Sequence, residues 1–296
     1  LPVDVNHSDW DSQLTKLADH PTDHNAGTKN ARQTHHALRL GLRLVKGLAR
    51  GEGERIAASR APAFAAMDEV MQRADVSARA IQAIAAADGF TSLGLARRQA
   101  LWQARRLGRQ RHHQLPLFAA AQVEDDRPQQ ATTTIGREPQ VTLPVASPGH
   151  EVVEDYRSLG LSLKAHPLDI LATPLAAAGW QLCHVIAKHR DGQRLRLAGL
   201  VTMRQRPGTA RGAVFLTIED GQGQANVIIW PKLTVTYREA LLQSQIIGLV
   251  GRVQKAQSVT HFIAESLFNL NGFLHHLHDD AIKTAGSMRM KSRDFR

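Results

Sequence analysis

The chain has 296 residues, with 37 Lys and Arg against 27 Asp and Glu, for a formal charge of +10. At roughly 150 residues per domain the length implies about two domains, and a lone cysteine, Cys183, excludes a disulfide framework or a cysteine-based zinc site. The charge excess points to a polyanionic partner, nucleic acid first. An anionic membrane surface is the runner-up, but no basic amphipathic anchor supports it. Every apolar run is broken by charge within about a dozen residues, too short for a transmembrane helix. The opening LPVDVNHSDW has neither the charged start nor the apolar core of a signal peptide, and the single thiol fits a reducing cytoplasm. The first residue is Leu1 rather than Met, which predicts a piece of something longer.

Residues 1–108 are rich in Ala, Leu and Arg. Leu38, Leu40, Leu42 and Leu44 alternate with Arg39, Gly41 and Arg43, which is strand periodicity. The chain then turns through Gly47 into a helix carrying Ile56, which Pro62 ends. A second helix is predicted over about 77–87, with Ser77 as N-cap and Ile81, Ile84 and Ala85 as its buried stripe. It stops at Asp88-Gly89-Phe90. A third starts near Ala96 and carries Leu101, Trp102 and Leu107 among Arg97, Arg98, Arg105 and Arg106. Residues 109–150, with a Thr run and five of the chain's twelve prolines, read as a flexible linker.

Residues 151–193 read as a helical connector. Five strands follow, over about 194–204, 213–219, 224–230, 246–254 and 259–267, with Asp220-Gly221-Gln222-Gly223 at hairpin length between the second and third. A short helix near 236–243 separates the third from the fourth. Three strands, a helix and two strands are the order of a five-stranded OB barrel. The fold class is therefore α+β and multidomain: a tandem helix-hairpin-helix domain (38–108), the linker, and an OB-type barrel (194–270) with a basic tail (271–296). The possible pair of helix-hairpin units is the one internal repeat found.

Two places carry binding chemistry. Gly47-Leu48-Ala49-Arg50-Gly51 lies before a helix, where backbone N–H groups hold a phosphate without reading a base. Leu48 anchors the turn, and Lys46 and Arg50 add charge. The alternative is an ordinary loop between helices. In the barrel, Phe215 and Trp230 are candidates for base stacking, with Arg204, Arg206 and Arg252 tracking the backbone. The alternative there is that the aromatic residues are core. The run from His275 to Asp280 lacks the partners of a closed metal site and reads as a solvated face. No GxSxG, Walker or GxGxxG motif is present. No metal and no cofactor are assigned to this chain.

The stretches LPVDVNHSDWD, ALRLGLRLVKGL, DYRSLGLSLKAHPLDIL and AGLVTMRQRPGTARGAVFLTIEDGQGQANVIIWP resemble the C-terminal part of bacterial error-prone DNA polymerases. These belong to the C family, related to the replicative DNA polymerase III alpha subunit. The closing SRDFR also resembles that subfamily. The resemblance implies a fragment, inactive alone, of a nucleotidyltransferase that uses Mg²⁺ and acts in damage tolerance and repair synthesis. It would begin near the end of the fingers (1–37). Asp4, Asp9 and Asp11 lie outside the family's metal-binding motif, so no catalytic residue carries over. The family hairpin more often reads Gly-apolar-Gly, and Ala49 departs from it. Gln114-Leu115-Pro116-Leu117-Phe118 resembles the peptide that docks on the sliding clamp, with Gln114, Leu115, Leu117 and Phe118 as its contacts. The implied partners are duplex product, single-stranded template, the clamp and damage-tolerance accessory proteins. The competing classes are a stand-alone single-stranded nucleic-acid binder and a hydrolase with a metal at the His275 cluster.

Overall fold

The computed structural model describes residues 1–16, 36–113, 146–256 and 259–277. The chain divides into two compact units, Leu1–Val145 and Ala146–Arg296.

The first unit has two short antiparallel strands, β1 (Gln13–Lys16) and β2 (His36–Arg39). Four helices follow: α1 (Arg50–Ser59), α2 (Met67–Arg73), α3 (Ala78–Ala86) and α4 (Arg97–His113). The leucine alternation predicts a strand through residue 44, but the strand ends at Arg39 and Leu42–Leu44 form a 3₁₀ turn. The cause is the neighbouring segment. Ser8 Oγ donates to Leu40 O at 2.7 Å, and the Leu42 and Arg43 N–H groups donate to Asp9 O and Trp10 O at 2.8 and 3.0 Å. These bonds draw the backbone out of the strand line, so Leu42 enters the core while Leu38 stays exposed.

The N-terminal stretch is stitched into this helical core. Val3 and Val5 are fully buried. The Asn6 amide donates to Phe64 O at 3.0 Å and accepts from Phe64 N at 2.8 Å. The Asp4 carboxylate accepts from the N–H groups of Asn6 and Ser92, both at 2.9 Å. Asp11 pairs with Arg43 at 2.7 Å, and Asp9 pairs with Arg60. The acidic residues of this stretch therefore hold chain to chain. Helix α3 starts at Ser77, whose Oγ accepts from Ala80 N at 3.1 Å, and buries Ile81, Ile84 and Ala85 as its spacing predicts. Helix α2, absent from the sequence reading, buries Met67, Val70 and Met71, one face of a helix. Of the apolar residues of α4, Ala100 and Ala104 are buried, while Trp102 is exposed.

The second unit opens with helices α5 (Pro148–Ser158), α6 (Pro167–Ile170) and α7 (Ala172–Ala177), then the short strand β3 (Gln181–Leu182). Strands β4 (Arg194–Gln205), β5 (Val214–Glu219) and β6 (Gln224–Ile229) follow. Helices α8 (Pro231–Thr236) and α9 (Arg238–Gln243) precede β7 (Ile246–Ala256) and β8 (Val259–Asn269). The strand order is β4-β5-β6-β8-β7, and β7 pairs back onto β4, closing a five-stranded barrel. Only the β6–β8 pairing in that ring is parallel. This is the OB topology that the element order predicts.

The barrel interior holds Leu197, Leu216, Ile218, Val227, Leu249 and Phe262. A second core lies outside the barrel wall, where Ala198, Leu200 and Ile246 meet Leu168, Leu171, Leu175 and Trp180. Strand β4 is thus buried on both faces, which is why it reads as a nearly continuous apolar run after Arg196.

The β5–β6 turn is held by Asp220. Its Oδ1 accepts from the N–H groups of Gln222 and Gly223 at 2.8 and 2.9 Å, and its Oδ2 accepts from His184 N at 2.7 Å. Burial pushes this carboxyl up, but the bonds from His184 and Gln222 outweigh it and hold it below its ordinary value of 3.8. A depressed folded-state pKa gives stability that is complete above that ordinary value and lost as pH falls through the folded one. Asp220→Asn is expected to cost about 2 kcal/mol near neutral pH, in the range for buried bonds to a charged group. Urea denaturation between pH 7 and pH 3 should show a shrinking gap between the variant and the parent; a constant gap would remove Asp220 from the acid response.

Candidate nucleic-acid interface

Two turns of the first unit share one construction. In the first, the 3₁₀ turn Leu42–Leu44 leads to Gly47 at φ +88°, and α1 begins at Arg50. In the second, the 3₁₀ turn Thr91–Leu93 leads to Gly94 at φ +70°, and α4 begins at Arg97. Both glycines adopt the left-handed conformation that side chains disfavour. The residues match as well: Gly47-Leu48-Ala49-Arg50 recurs as Gly94-Leu95-Ala96-Arg97. The second hairpin therefore lies at Gly94. At the expected site, Asp88-Gly89-Phe90, Gly89 and Phe90 are buried. The repeated tetrapeptide was the signal in the sequence that would have found it.

Leu48 is 8% exposed and anchors the first turn, as its apolar character predicts. Ala49 is extended (φ −76°, ψ 145°), so the departure from glycine there strains nothing. Lys46, Arg50 and Gly51 are exposed. Arg50 Nε donates to Glu54 at 2.7 Å, which fixes the guanidinium on the first turn of α1. Its equivalent, Arg97, is buried, with its guanidinium 3.9 Å from Asp88. Glu52 accepts from Ser77 N at 2.9 Å and ties the start of α3 to the start of α1. Burial pushes the Glu52 carboxyl up, but the bonds from Ser77 and Ala49 leave it below its ordinary range. The N–H groups of a first helical turn have no acceptor within the helix, and the macrodipole favours an anion there.

On the barrel, register decides which residues meet. Phe215 pairs with Ile228, Ile228 with Ile263, and Ile263 with Arg252. Their neighbours Val214, Leu216, Val227, Ile229, Phe262 and Val253 all point inward and are buried. Alternation puts the four paired residues on the outer wall as one cross-strand row. An adjacent row runs Thr217, Asn226, His261, Gln254. Phe215 and Arg252, named from sequence, therefore share a surface that Ile228, Ile263, Asn226 and His261 complete.

Phe215 is 37% exposed and Trp230 53% exposed, so neither is core. Trp230 continues the outward set of β6 and precedes Pro231, whose ring, like the Arg206 guanidinium, borders Gly212. Arg252 bonds Glu265 at 3.1 Å and Gly192 O at 3.1 Å, and Arg194 shares the same Glu265 at 2.8 Å. That leaves two cations to one carboxylate on this edge.

Arg204 is a correction. It is 3% exposed, and its guanidinium donates to Leu241 O at 2.6 Å and to Ser244 O. It closes the end of α9 against β4 and reaches no solvent-borne strand. The bulge between Val201 and Met203 shifts the alternation of β4, so that Arg204 pairs with the inward-facing Leu216 instead of standing on the outer wall. The clamp-like residues Gln114, Leu115, Leu117 and Phe118 lie outside the described residues. Among the described residues no three His, Cys, Asp or Glu side chains converge as a metal site, and no helix is long and apolar enough to cross a membrane. His275 and His276 belong to a 3₁₀ segment, Asn271–Leu277, and stack on each other at 3.9 Å.

A helical unit with paired glycine hairpins and an OB barrel define a nucleic-acid-binding protein. Residues 1–100 match the family described as helix-hairpin-helix motif, and residues 195–270 match the OB-fold nucleic acid binding domain. The chain is a homologue of part of the error-prone DNA polymerases. It is 38% identical to that of Brucella abortus biovar 1 (strain 9-941), over 90% of this chain and 23% of the relative. It is 37% identical to error-prone DNA polymerase 1 of Rhizobium meliloti (strain 1021), over 100% and 25%. It is 40% identical to that of Allorhizobium ampelinum, over 94% and 24%. The chain thus spans about a quarter of the length of these relatives.

The two arginines at the end of β4 are expected to separate cleanly. Arg204→Ala leaves carbonyls of Leu241 and Ser244 without their donor and should lower stability by about 2–3 kcal/mol. Arg206→Ala should stay within about 0.5 kcal/mol of the parent. Equal midpoints for the two variants in urea would contradict the buried role of Arg204.

Proposed function

We propose that this chain is the DNA-gripping C-terminal portion of an error-prone DNA polymerase. The hairpins at Gly47 and Gly94 hold the backbone of duplex product, with Lys46, Arg50 and Gly51 nearest the phosphates and Leu48 as their anchor. The outer wall of the barrel takes single-stranded template. The observation that carries this reading is the row Phe215, Ile228, Ile263, Arg252: a ring for a base, an apolar floor and a cation for the phosphate, side by side on one face. Trp230 and Arg206 extend it toward the start of α8. The parent enzyme would act in damage tolerance and repair synthesis, in the cytoplasm, with the Mg²⁺ of nucleotidyl transfer held by parts outside this chain.

Phosphate contacts make binding steep in salt and indifferent to sequence. Lys46→Ala with Arg50→Ala should weaken duplex binding and flatten the log–log salt slope by about 1–2 units. Phe215→Ala should weaken binding of a single-stranded oligonucleotide by about 1–3 kcal/mol. Fluorescence anisotropy against both ligands at several salt concentrations measures both effects. An unchanged slope would take the first hairpin off the backbone, and unchanged single-strand affinity would return Phe215 to a packing role.

Primer extension by the 296-residue chain with Mg²⁺ and all four nucleotides should yield no product, since no carboxylates here converge for a two-metal site among the described residues. Incorporation above a mock preparation would overturn the portion reading.

A further inference from the structure

An open cavity of about 360 Å³ lies between α3 and α4, and Lys46 and Gly47 of the first hairpin form one side of it. Its three cations are Lys46, Arg79 and Arg105, and its lining holds no carboxylate. Residues Arg79, Gln82 and Ala83 present one face of α3, at spacings of three and four. Leu101 and Arg105, four apart, present the facing stripe of α4. Ala100 and Ala104, both buried, are the small residues that let the two helices approach behind it. At Gly47, on the rim, the space a Cβ would take is open to 4 Å.

The position of Arg79 is itself informative. It stands in the first turn of α3, which has no acidic residue of its own and whose N-cap amide is held by Glu52 of α1. The positive end of a helix disfavours a cation there. The cavity thus gathers three positive side chains with no carboxylate in its lining, an arrangement that an anion completes. Its size falls in the range of small-ligand sites, roughly 300–1,000 Å³, more than a phosphate group alone requires. Leu101 and Ala83 provide an apolar surface, and the Gln82 amide offers one donor and one acceptor in a fixed pair, the pattern that reads a base edge.

We propose that this cavity binds a nucleoside phosphate: the phosphate on Arg79, Arg105 and Lys46, the base against Leu101 and Ala83, and its edge on Gln82. The inference shares Lys46 and Gly47 with the duplex-gripping reading and adds Arg79, Gln82, Ala83, Leu101 and Arg105 to them. The nucleotide could be free or be the terminal one of a strand, and the chemistry at the site is the same.

The test is titration calorimetry of the full chain with deoxyadenosine 5′-monophosphate, inorganic phosphate and deoxyadenosine. The nucleotide should bind at one site, at least ~10-fold more tightly than either part alone. Arg79→Ala with Arg105→Ala should weaken it by at least ~10-fold, while the paired Lys variants keep most of the affinity. Thermal melts of all variants establish that they fold. Inorganic phosphate binding as tightly as the nucleotide overturns the proposal, and so does nucleotide affinity unchanged in the folded Ala variant. No nucleotide binding by a chain that still binds duplex overturns the cavity assignment and leaves the hairpin reading standing. Competition settles the source: displacement by a 5′-phosphorylated oligonucleotide but not by its 5′-hydroxyl form assigns a strand end, and displacement by neither assigns a free nucleotide.

Discussion

The barrel depends on β4 being hydrogen-bonded along both edges. It runs antiparallel to β5 on one side and to β7 on the other, over seven paired positions from Arg194–Arg252 to Leu200–Ile246. A strand paired on both edges closes the sheet and removes the open edges that would otherwise invite aggregation. Closure also fixes register, and register is what brings Phe215, Ile228, Ile263 and Arg252 into line. A slip of one residue in β6 would send Ile228 inward and Val227 outward, and the row would disappear. The apolar outer side of β4 gives the α5–α7 segment its place, since Ala198 and Leu200 form part of the same core as Leu168 and Leu175.

In the first unit the corresponding constraint is the left-handed glycine before each hairpin helix. Gly47 and Gly94 let a 3₁₀ turn reverse directly into a helix start. Leu48 is buried below one turn, and Phe90 just before the other. Helix starts have unpartnered amides and carry positive potential. Arg50 and Arg97 add to it in sequence but not equally in space. The exposed Arg50 strengthens the surface field, whereas the buried Arg97 serves packing. The two hairpins are thus alike in backbone and unlike in charge.

Much of this was legible in the sequence, for identifiable reasons. The five barrel strands fell within about two residues of their observed ends because each carries clean alternation or a long apolar run bounded by turn residues. Ser77 was readable as a cap because its chemistry is local. The strand predicted through Leu44 failed because hydrogen bonds from residues 8–10, far away in sequence, decide where β2 stops. Arg204 was misplaced because local pattern does not show the bulge that shifts the alternation of β4. The alignment of Ile228, Ile263 and His261 with Phe215 and Arg252 was invisible because cross-strand register is a tertiary property. The second hairpin was legible too: Gly94-Leu95-Ala96-Arg97 repeats Gly47-Leu48-Ala49-Arg50.

On the proposed function, one chain holds two forms of DNA on two separate surfaces. Hydrogen exchange by mass spectrometry on the full chain, with a duplex, with a single strand and with a primer–template junction, addresses it directly. Duplex should slow exchange in residues 45–53 and 94–98, and a single strand should slow it in 213–217, 226–230 and 261–263. The junction should protect both sets at once. Protection of the same residues by duplex and by single strand would contradict the account.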